Sequence, residues 1–188
     1  CVTAGRLPEE GAYPFGSLDE ISPELKLNAR ARTVERVEPQ ARTVTAGGCT
    51  RTYDKLLIAT GAKAFVPPVE GKDSKNAYTM RTMRDARGLR ERLEKGDIHS
   101  AVVVGASMVG IKVVELLWQR GIACTLTDLA PHIFPLAAFD SVAEEIERRL
   151  TAKGVRLAFG KGLAGLTDRP EGGVAVGLSD GSSVDCDL

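Results

Sequence analysis

No stretch of the 188-residue chain approaches the ~18 consecutive apolar residues that a membrane-spanning helix needs. A helical membrane span is excluded on that count. Charge of one sign is equally lacking: 25 Lys and Arg face 25 Asp and Glu, so no basic surplus exists for a nucleic-acid backbone or an anionic membrane. Neither is an expected partner. Cys1, Cys49, Cys124 and Cys186 form no CxxC and no other close pair, which excludes a zinc ribbon and a local redox dithiol, and no metal site is expected. With no secretory signal before them, they read as free thiols of a reducing compartment, the cytoplasm. An initiating Met is missing too. The chain opens on Cys1 and stops at Leu188 within an apolar alternation, and it reads as an interior piece of a longer protein.

What is present is a core-forming composition, 43% hydrophobic against 27% charged, which suits a globular chain. Gly11, Pro14, Gly16, Ser17 and Pro23 punctuate an irregular opening. Residues 31–37 and 42–45 are β-biased runs around Glu38-Pro39-Gln40, a hairpin signal. Residues 53–59 run into the unbroken apolar stretch Leu56-Leu57-Ile58-Ala59 before Thr60-Gly61, which predicts a strand buried on both faces. Residues 62–78, with Pro67-Pro68 and Gly71, have linker chemistry. Thr82 with Asp85 predicts a capping box for a helix carrying Leu89 and Leu93, ended by Gly96.

From Ser100 the pattern alternates. A wholly apolar strand over 101–104 leads to a helix from Met108 to Arg120, apolar nearly all round and therefore expected to be covered on most sides, with Gly121 as its C′ residue. A strand over 123–127 follows, then a helix capped by Ser141 with Glu144 and carrying Val142, Ile146 and Leu150, then a strand over 155–159. This is the pattern of parallel βαβ units with right-handed crossovers, an α/β fold. The tail switches to period two: Val174, Val176 and Leu178 alternate before Asp180-Gly181, and Val184, Cys186 and Leu188 after it, a type I′ hairpin signal. Asp187-Leu188 reads as the start of another buried strand, and the sheet edge it would cover invites pairing with a second copy, a homodimer.

The chemistry concentrates in Val104-Gly105-Ala106-Ser107-Met108-Val109-Gly110, a G-x-S-x-x-G turn from strand into helix. Gly105 permits the tight turn, position 107 must be small for the backbone to approach a pyrophosphate, and Gly110 allows close helix–strand packing. The N–H groups at the helix start hold the phosphates. Ser107 narrows the approach with its Cβ while offering a hydroxyl to a phosphate oxygen. Alone, such a turn is as readily a packing device. Asp128 adds to it by closing the second strand 18 residues after Gly110, where a carboxylate accepts both adenine-ribose hydroxyls; the plainer alternative is a solvated acid capping the next turn. The same charge repels a ribose 2′-phosphate, and Leu129, Ala130 and Pro131 bring no cation to offset it. NAD(H) is favoured over NADP(H).

These residues, with Ala130-Pro131 and above all Leu56-Leu57-Ile58-Ala59-Thr60-Gly61-Ala62, resemble the FAD-dependent pyridine nucleotide-disulfide oxidoreductases, notably the NADH oxidase, coenzyme A disulfide reductase and nitrite or rubredoxin reductase branches. The pairing carries the likeness: an A-T-G-A strand end about 40 residues before the G-x-S-x-x-G turn. The resemblance implies a Rossmann-like three-layer β/β/α NAD-binding domain over 73–188 with an antiparallel hairpin excursion, and a partial FAD-binding domain, a β-strand remnant, over 1–72. It implies hydride transfer from NADH to FAD and onward to a disulfide, oxygen or a redox protein. Thr60 and Gly61 map beside the flavin; Gly105, Ala106, Ser107, Met108, Val109 and Gly110 map to the NADH pyrophosphate, and Asp128 with Leu129 to its ribose. Nothing in residues 1–72 matches G-x-G-x-x-G, so the flavin's own phosphate-binding unit is expected before Cys1 and this piece alone is expected to be inactive.

Two positions depart from the family pattern. Lys112 stands where the family usually carries a glutamate near the nicotinamide and flavin, and it is either a changed charge at the hydride path or a solvated helix lysine. Cys1 is roughly placed for the family's redox cysteine but lacks its usual neighbours. Cys124 and Cys186 fall on apolar strand faces and read as core, and Cys49 as exposed. His132 is a surface histidine or a stacking partner for adenine; His99 is a turn residue. Two other functions fit the same βαβ turn, an NAD(H)-sensing module without chemistry and an adenosyl-methionine methyltransferase.

Overall fold

The computed structural model describes residues 30–188 except residue 136; the irregular opening from Gly11 to Pro23 lies outside them. The described residues fall into two compact units, 30–63 and Ala64–Leu188. In the first, β1 (Val34–Glu38), β2 (Thr43–Ala46) and β3 (Cys49–Thr52) form an antiparallel sheet in that order. The expected hairpin is β1–β2. The third strand, unread in the sequence, is reached through Gly47-Gly48, both at positive φ. Residues 53–59 are not a strand. Leu57 is 88% exposed, and none of the described strands pairs with this run. Apolar composition expresses a tendency to be buried in a sheet; only a ladder partner for the backbone makes the strand.

The second unit begins with a segment tied down from Glu70 to Asn76. Leu166 donates its N–H to the Glu70 carbonyl at 2.9 Å, and Ser74 and Asn76 both donate to the Asp168 carboxylate, at 2.5 and 3.0 Å. Residues 70–76 are therefore part of this unit, where linker chemistry was expected. Helix α1 (Met83–Glu94) starts at the expected capping box, the Thr82 hydroxyl accepting from Asp85 N–H and the Asp85 carboxylate from Thr82 N–H, and buries Ala86, Leu89 and Leu93.

Next come β4 (Ser100–Val104), α2 (Met108–Gln119), β5 (Ala123–Asp128), α3 (Asp140–Ala152) and β6 (Arg156–Phe159), with the strands parallel in the order β4-β5-β6. The strands β7 (Leu163–Asp168), β8 (Val174–Leu178) and β9 (Ser183–Cys186) then make an antiparallel sheet. Period-two alternation sorts the three layers. Ala101, Val103, Cys124, Leu126 and Leu157 pack with Leu89, Val114 and Leu117 of the helices, whereas Val102 and Ala158 face Val174, Val176, Leu178 and Cys186. Helices lie on one face of the parallel sheet and the β7–β9 sheet on the other, the expected β/β/α arrangement.

Several local expectations are corrected. Helix α3 starts at Asp140, with Phe139 at its N-cap and no side-chain cap bond, so Ser141 and Glu144 make no capping box. Ser141 is already inside the helix. Gly181 has φ 83° but Asp180 is not at positive φ, so the four-residue loop is not type I′, which needs both; it closes through Leu178 N–H to Ser182 O at 2.8 Å. Strand β7 was not expected: Gly165, where the register against β8 shifts, interrupts its alternation. Helix α2 buries Val114, Leu116 and Leu117 but leaves Met108, Val109 and Trp118 exposed, so its cover is one-sided. Past β9, Asp187 N–H bonds to Ser100 O at 3.0 Å and Val102 N–H to Leu188 O at 2.9 Å, which occupies part of the outer edge of β4. Among the described residues no helix is long and apolar enough to cross a membrane, and no cluster of His, Cys, Asp and Glu could hold a metal ion.

Candidate functional site

The parallel register of β4 and β5 pairs Val104 with Thr127, and Gly105 N–H then bonds to Thr127 O at 2.8 Å. The chain leaves β4 through Gly105 at φ 105°, a conformation that L side chains rarely adopt. Gly110 is required for another reason. A Cβ there would lie 1.8 Å from the Gly105 carbonyl oxygen, so only a glycine lets the first turn of α2 close over the loop. Ser107 is the N-cap, and its hydroxyl makes no bond to the helix it caps. The first helical N–H to find an intrahelical partner is that of Ile111, on Ser107 O at 3.0 Å, so the donors of Met108, Val109 and Gly110 point out of the helix start. Of the three helices among the described residues, α2 alone has no acidic residue in its first turn; α1 has Asp85 and α3 has Asp140. An anion meets no carboxylate from that turn.

Asp128, half-buried at the end of β5, receives Ala106 N–H at 2.7 Å on one carboxylate oxygen and Ala130 N–H at 2.9 Å on the other. The plainer role, capping the next turn, is therefore present. It uses one acceptor position per oxygen and leaves others for hydroxyl donors. Fully buried Thr127 donates to the carbonyls of Ala158 and Lys161, at 3.0 and 2.6 Å, and Lys161 N–H bonds to Asp128 O at 3.0 Å. Thr127 and Lys161 escaped the sequence reading. The only hint was the Thr-x-Thr alternation of β5. Leu129 is exposed next to Asp128. On the other side of the turn, Phe65, Tyr78, Val104, Gly105, Ser107 and Val109 border an apolar cavity of about 320 Å³.

A glycine-tightened helix start beside a strand-end carboxylate is a fold-level feature, and comparison with known proteins gives the family. The family model for pyridine nucleotide-disulphide oxidoreductases matches residues 3–188. The chain belongs to this family. An NADH oxidase of Methanocaldococcus jannaschii is 30% identical over 136 residues, covering 72% of this chain and 30% of that protein. A nitric oxide reductase FlRd-NAD(+) reductase of Escherichia coli is 30% identical over 154 residues, covering 82% and 40%. Among solved structures, a water-forming NADH oxidase from Lactobacillus brevis bound to NADH superposes with a TM-score of 0.74 at 26% identity, over 84% of this chain and 35% of that one. The chain thus spans 30–40% of the length of these curated relatives. Membership in the family sets aside the methyltransferase reading.

Thr60 and Gly61 lie on the exposed stretch of the 30–63 unit, Gly61 at φ 68°. Lys112 is on α2 with its side chain 78% exposed, its ammonium 2.7 Å from Glu115, and it does not border the apolar cavity. Cys1 lies outside the described residues. Cys124 and Cys186 are buried and Cys49 is exposed; burial pushes the Cys124 thiol up to about 11. His132 is held by Glu147 at 3.3 Å.

Proposed function

We propose that the Ala64–Leu188 unit binds NADH, the pyrophosphate on the N–H groups of Met108, Val109 and Gly110 with the Ser107 hydroxyl beside them, and the adenine ribose on Asp128. The observation that carries this reading is the acid-free start of α2 packed so tightly on Gly105 that Gly110 admits no Cβ. A pyrophosphate can approach that backbone closely, and the helix dipole favours its charge. Asp128 fits the two ribose hydroxyls, and the N–H groups of Ala106 and Ala130 hold its carboxylate at the mouth of the turn. With the ribose at β5, a dinucleotide crossing the carboxyl end of the sheet brings its nicotinamide over β4 to the apolar cavity.

In the whole protein, this NADH passes hydride to FAD and on to a disulfide, oxygen or redox-protein acceptor. FAD, when bound, supplies the two-electron acceptor. Thr60 and Gly61 do not by themselves make a site for it, so the described residues are assigned to the nicotinamide nucleotide alone. Calorimetric titration of the 188-residue chain with NADH and NADPH tests the reading. NADH binding in the micromolar range with NADPH weaker supports it; equal or tighter NADPH binding removes the role of Asp128. Trp118 is a poor optical reporter because it sits at the far end of α2, its indole N–H on Lys153 O at 3.0 Å.

A further inference from the structure

We propose that Lys161 is a specificity residue held in reserve: its ammonium is the cation able to meet a ribose 2′-phosphate beside Asp128, and Asp180 keeps the site selective for NADH by holding that ammonium away. The inference rests on the nucleotide reading of Gly105 to Asp128. Lys161 follows β6 at the carboxyl end of the parallel sheet, where Asp128 closes β5, and three hydrogen bonds stitch the two strand ends together. Lys161 N–H donates to Asp128 O at 3.0 Å, Gly160 N–H to Ala130 O at 3.0 Å, and the Thr127 hydroxyl to Lys161 O at 2.6 Å. Residues 129–131 bring no positive charge. The cation fastened to this strand end is Lys161.

Its side chain is 37% exposed and its ammonium lies 2.6 Å from the second carboxylate oxygen of Asp180, in the β8–β9 loop. That loop is itself seated on the residue after Lys161: Ser179 N–H donates to Gly162 O at 2.9 Å, and Gly162 N–H to the Ser179 hydroxyl at 3.0 Å. The two oxygens of Asp180 divide their work. Oδ1 accepts the Ser182 N–H at 3.0 Å and the Ser182 hydroxyl at 2.5 Å and so builds the loop, while Oδ2 holds Lys161. A substitution can therefore free the lysine while keeping the loop. Asp180→Asn retains Oδ1 for Ser182 and presents an amide, itself a donor, to the ammonium.

Calorimetry on the 188-residue chain with NADH and NADPH, for the wild type, Asp180→Asn, and Asp180→Asn combined with Lys161→Met, reads the effect directly. The expected result is a gain of roughly 5-fold in NADPH affinity for Asp180→Asn, the size of a partly exposed ion pair, with NADH unchanged within about 2-fold. The gain shrinks as salt is raised and disappears in the double variant. Asp180→Ser, whose hydroxyl can still accept the Ser182 N–H while the carboxylate facing Lys161 is gone, must give a gain of the same kind, so the test survives if the asparagine variant does not fold. Unchanged NADPH affinity in a wild-type background that binds NADH overturns the inference and leaves the NADH reading standing. A gain that persists without Lys161 overturns it as well. No NADH binding by the wild type removes both.

Discussion

The Asp128 carboxylate accepts the backbone N–H of Ala106 at 2.7 Å, across the 22 positions that separate the end of β5 from the turn after β4. Ala106 is fully buried, so the bond satisfies a donor that water cannot reach. Asp128→Ala is expected to cost about 1–3 kcal/mol of stability by orphaning that donor, and to weaken NADH at least about 10-fold by removing the ribose acceptor as well. Asp128→Asn, which keeps one acceptor oxygen, falls between. Asp128→Arg relaxes or inverts the preference between NADH and NADPH. Urea melts read the stability, and calorimetry reads the binding.

Gly105 and Gly110 fail for different reasons when a methyl group is added. At Gly105 a Cβ meets nothing within 4 Å, so Gly105→Ala carries only the strain of φ 105°, about 1–3 kcal/mol. At Gly110 the Cβ collides with a backbone oxygen at 1.8 Å. The helix must move, and Gly110→Ala is expected to abolish measurable NADH binding even where circular dichroism shows the helices intact. Retained affinity in Gly110→Ala would show that the start of α2 is not the phosphate site.

Asp187 makes stability depend on acid. Burial alone raises its carboxyl, but the N–H groups of His99 and Ser100 and the Ser100 hydroxyl outweigh burial and hold it below the usual value of 3.8. The folded state therefore favours the ionised form. That contribution is complete above about pH 4 and is lost as pH falls through the lowered value. Asp187→Asn is expected to be less stable at neutral pH and to show a shallower loss below about pH 4 in an acid titration followed by circular dichroism.

Thiol labelling separates the described cysteines. Iodoacetamide at mildly alkaline pH is expected to modify Cys49, which is exposed, and to spare Cys124 and Cys186 until the protein is unfolded. Burial raises both protected thiols, that of Cys124 to about 11. Peptide mass spectrometry gives the sites. Modification of Cys124 in the native protein would contradict its place beneath the helices.

The readable parts of the sequence are those where a local rule and the tertiary environment agree. The glycine spacing of the turn, Thr82 with Asp85, and the two interior cysteines each state their environment within a few residues. Residues 53–59 show the opposite. Their apolar run signals burial, but no composition names the strand that would lie beside it. Strand β7 was hidden by Gly165, which breaks the alternation at the point where the register shifts. At the site, Asp128 was legible because it ends a strand at a fixed distance from the glycines. Thr127 and Lys161 were not, because what they do depends on β6 and the β8–β9 loop arriving beside them. A lysine in a glycine-rich loop says nothing of a partner aspartate 19 positions further on.

The bonds that Ser100 makes to Asp187 close the outer edge of β4 across 87 positions. Strand β4 gains β5 soon after it is made, yet its other side waits for the last residues of the unit. At ribosomal rates of about 5–20 residues per second, that edge stays bare for roughly 4–17 s. During this interval the nascent chain carries a strand with one open edge, its apolar Val102 and Val103 within it. Its exposure to other chains is set by the speed of synthesis, independently of how stable the finished sheet becomes.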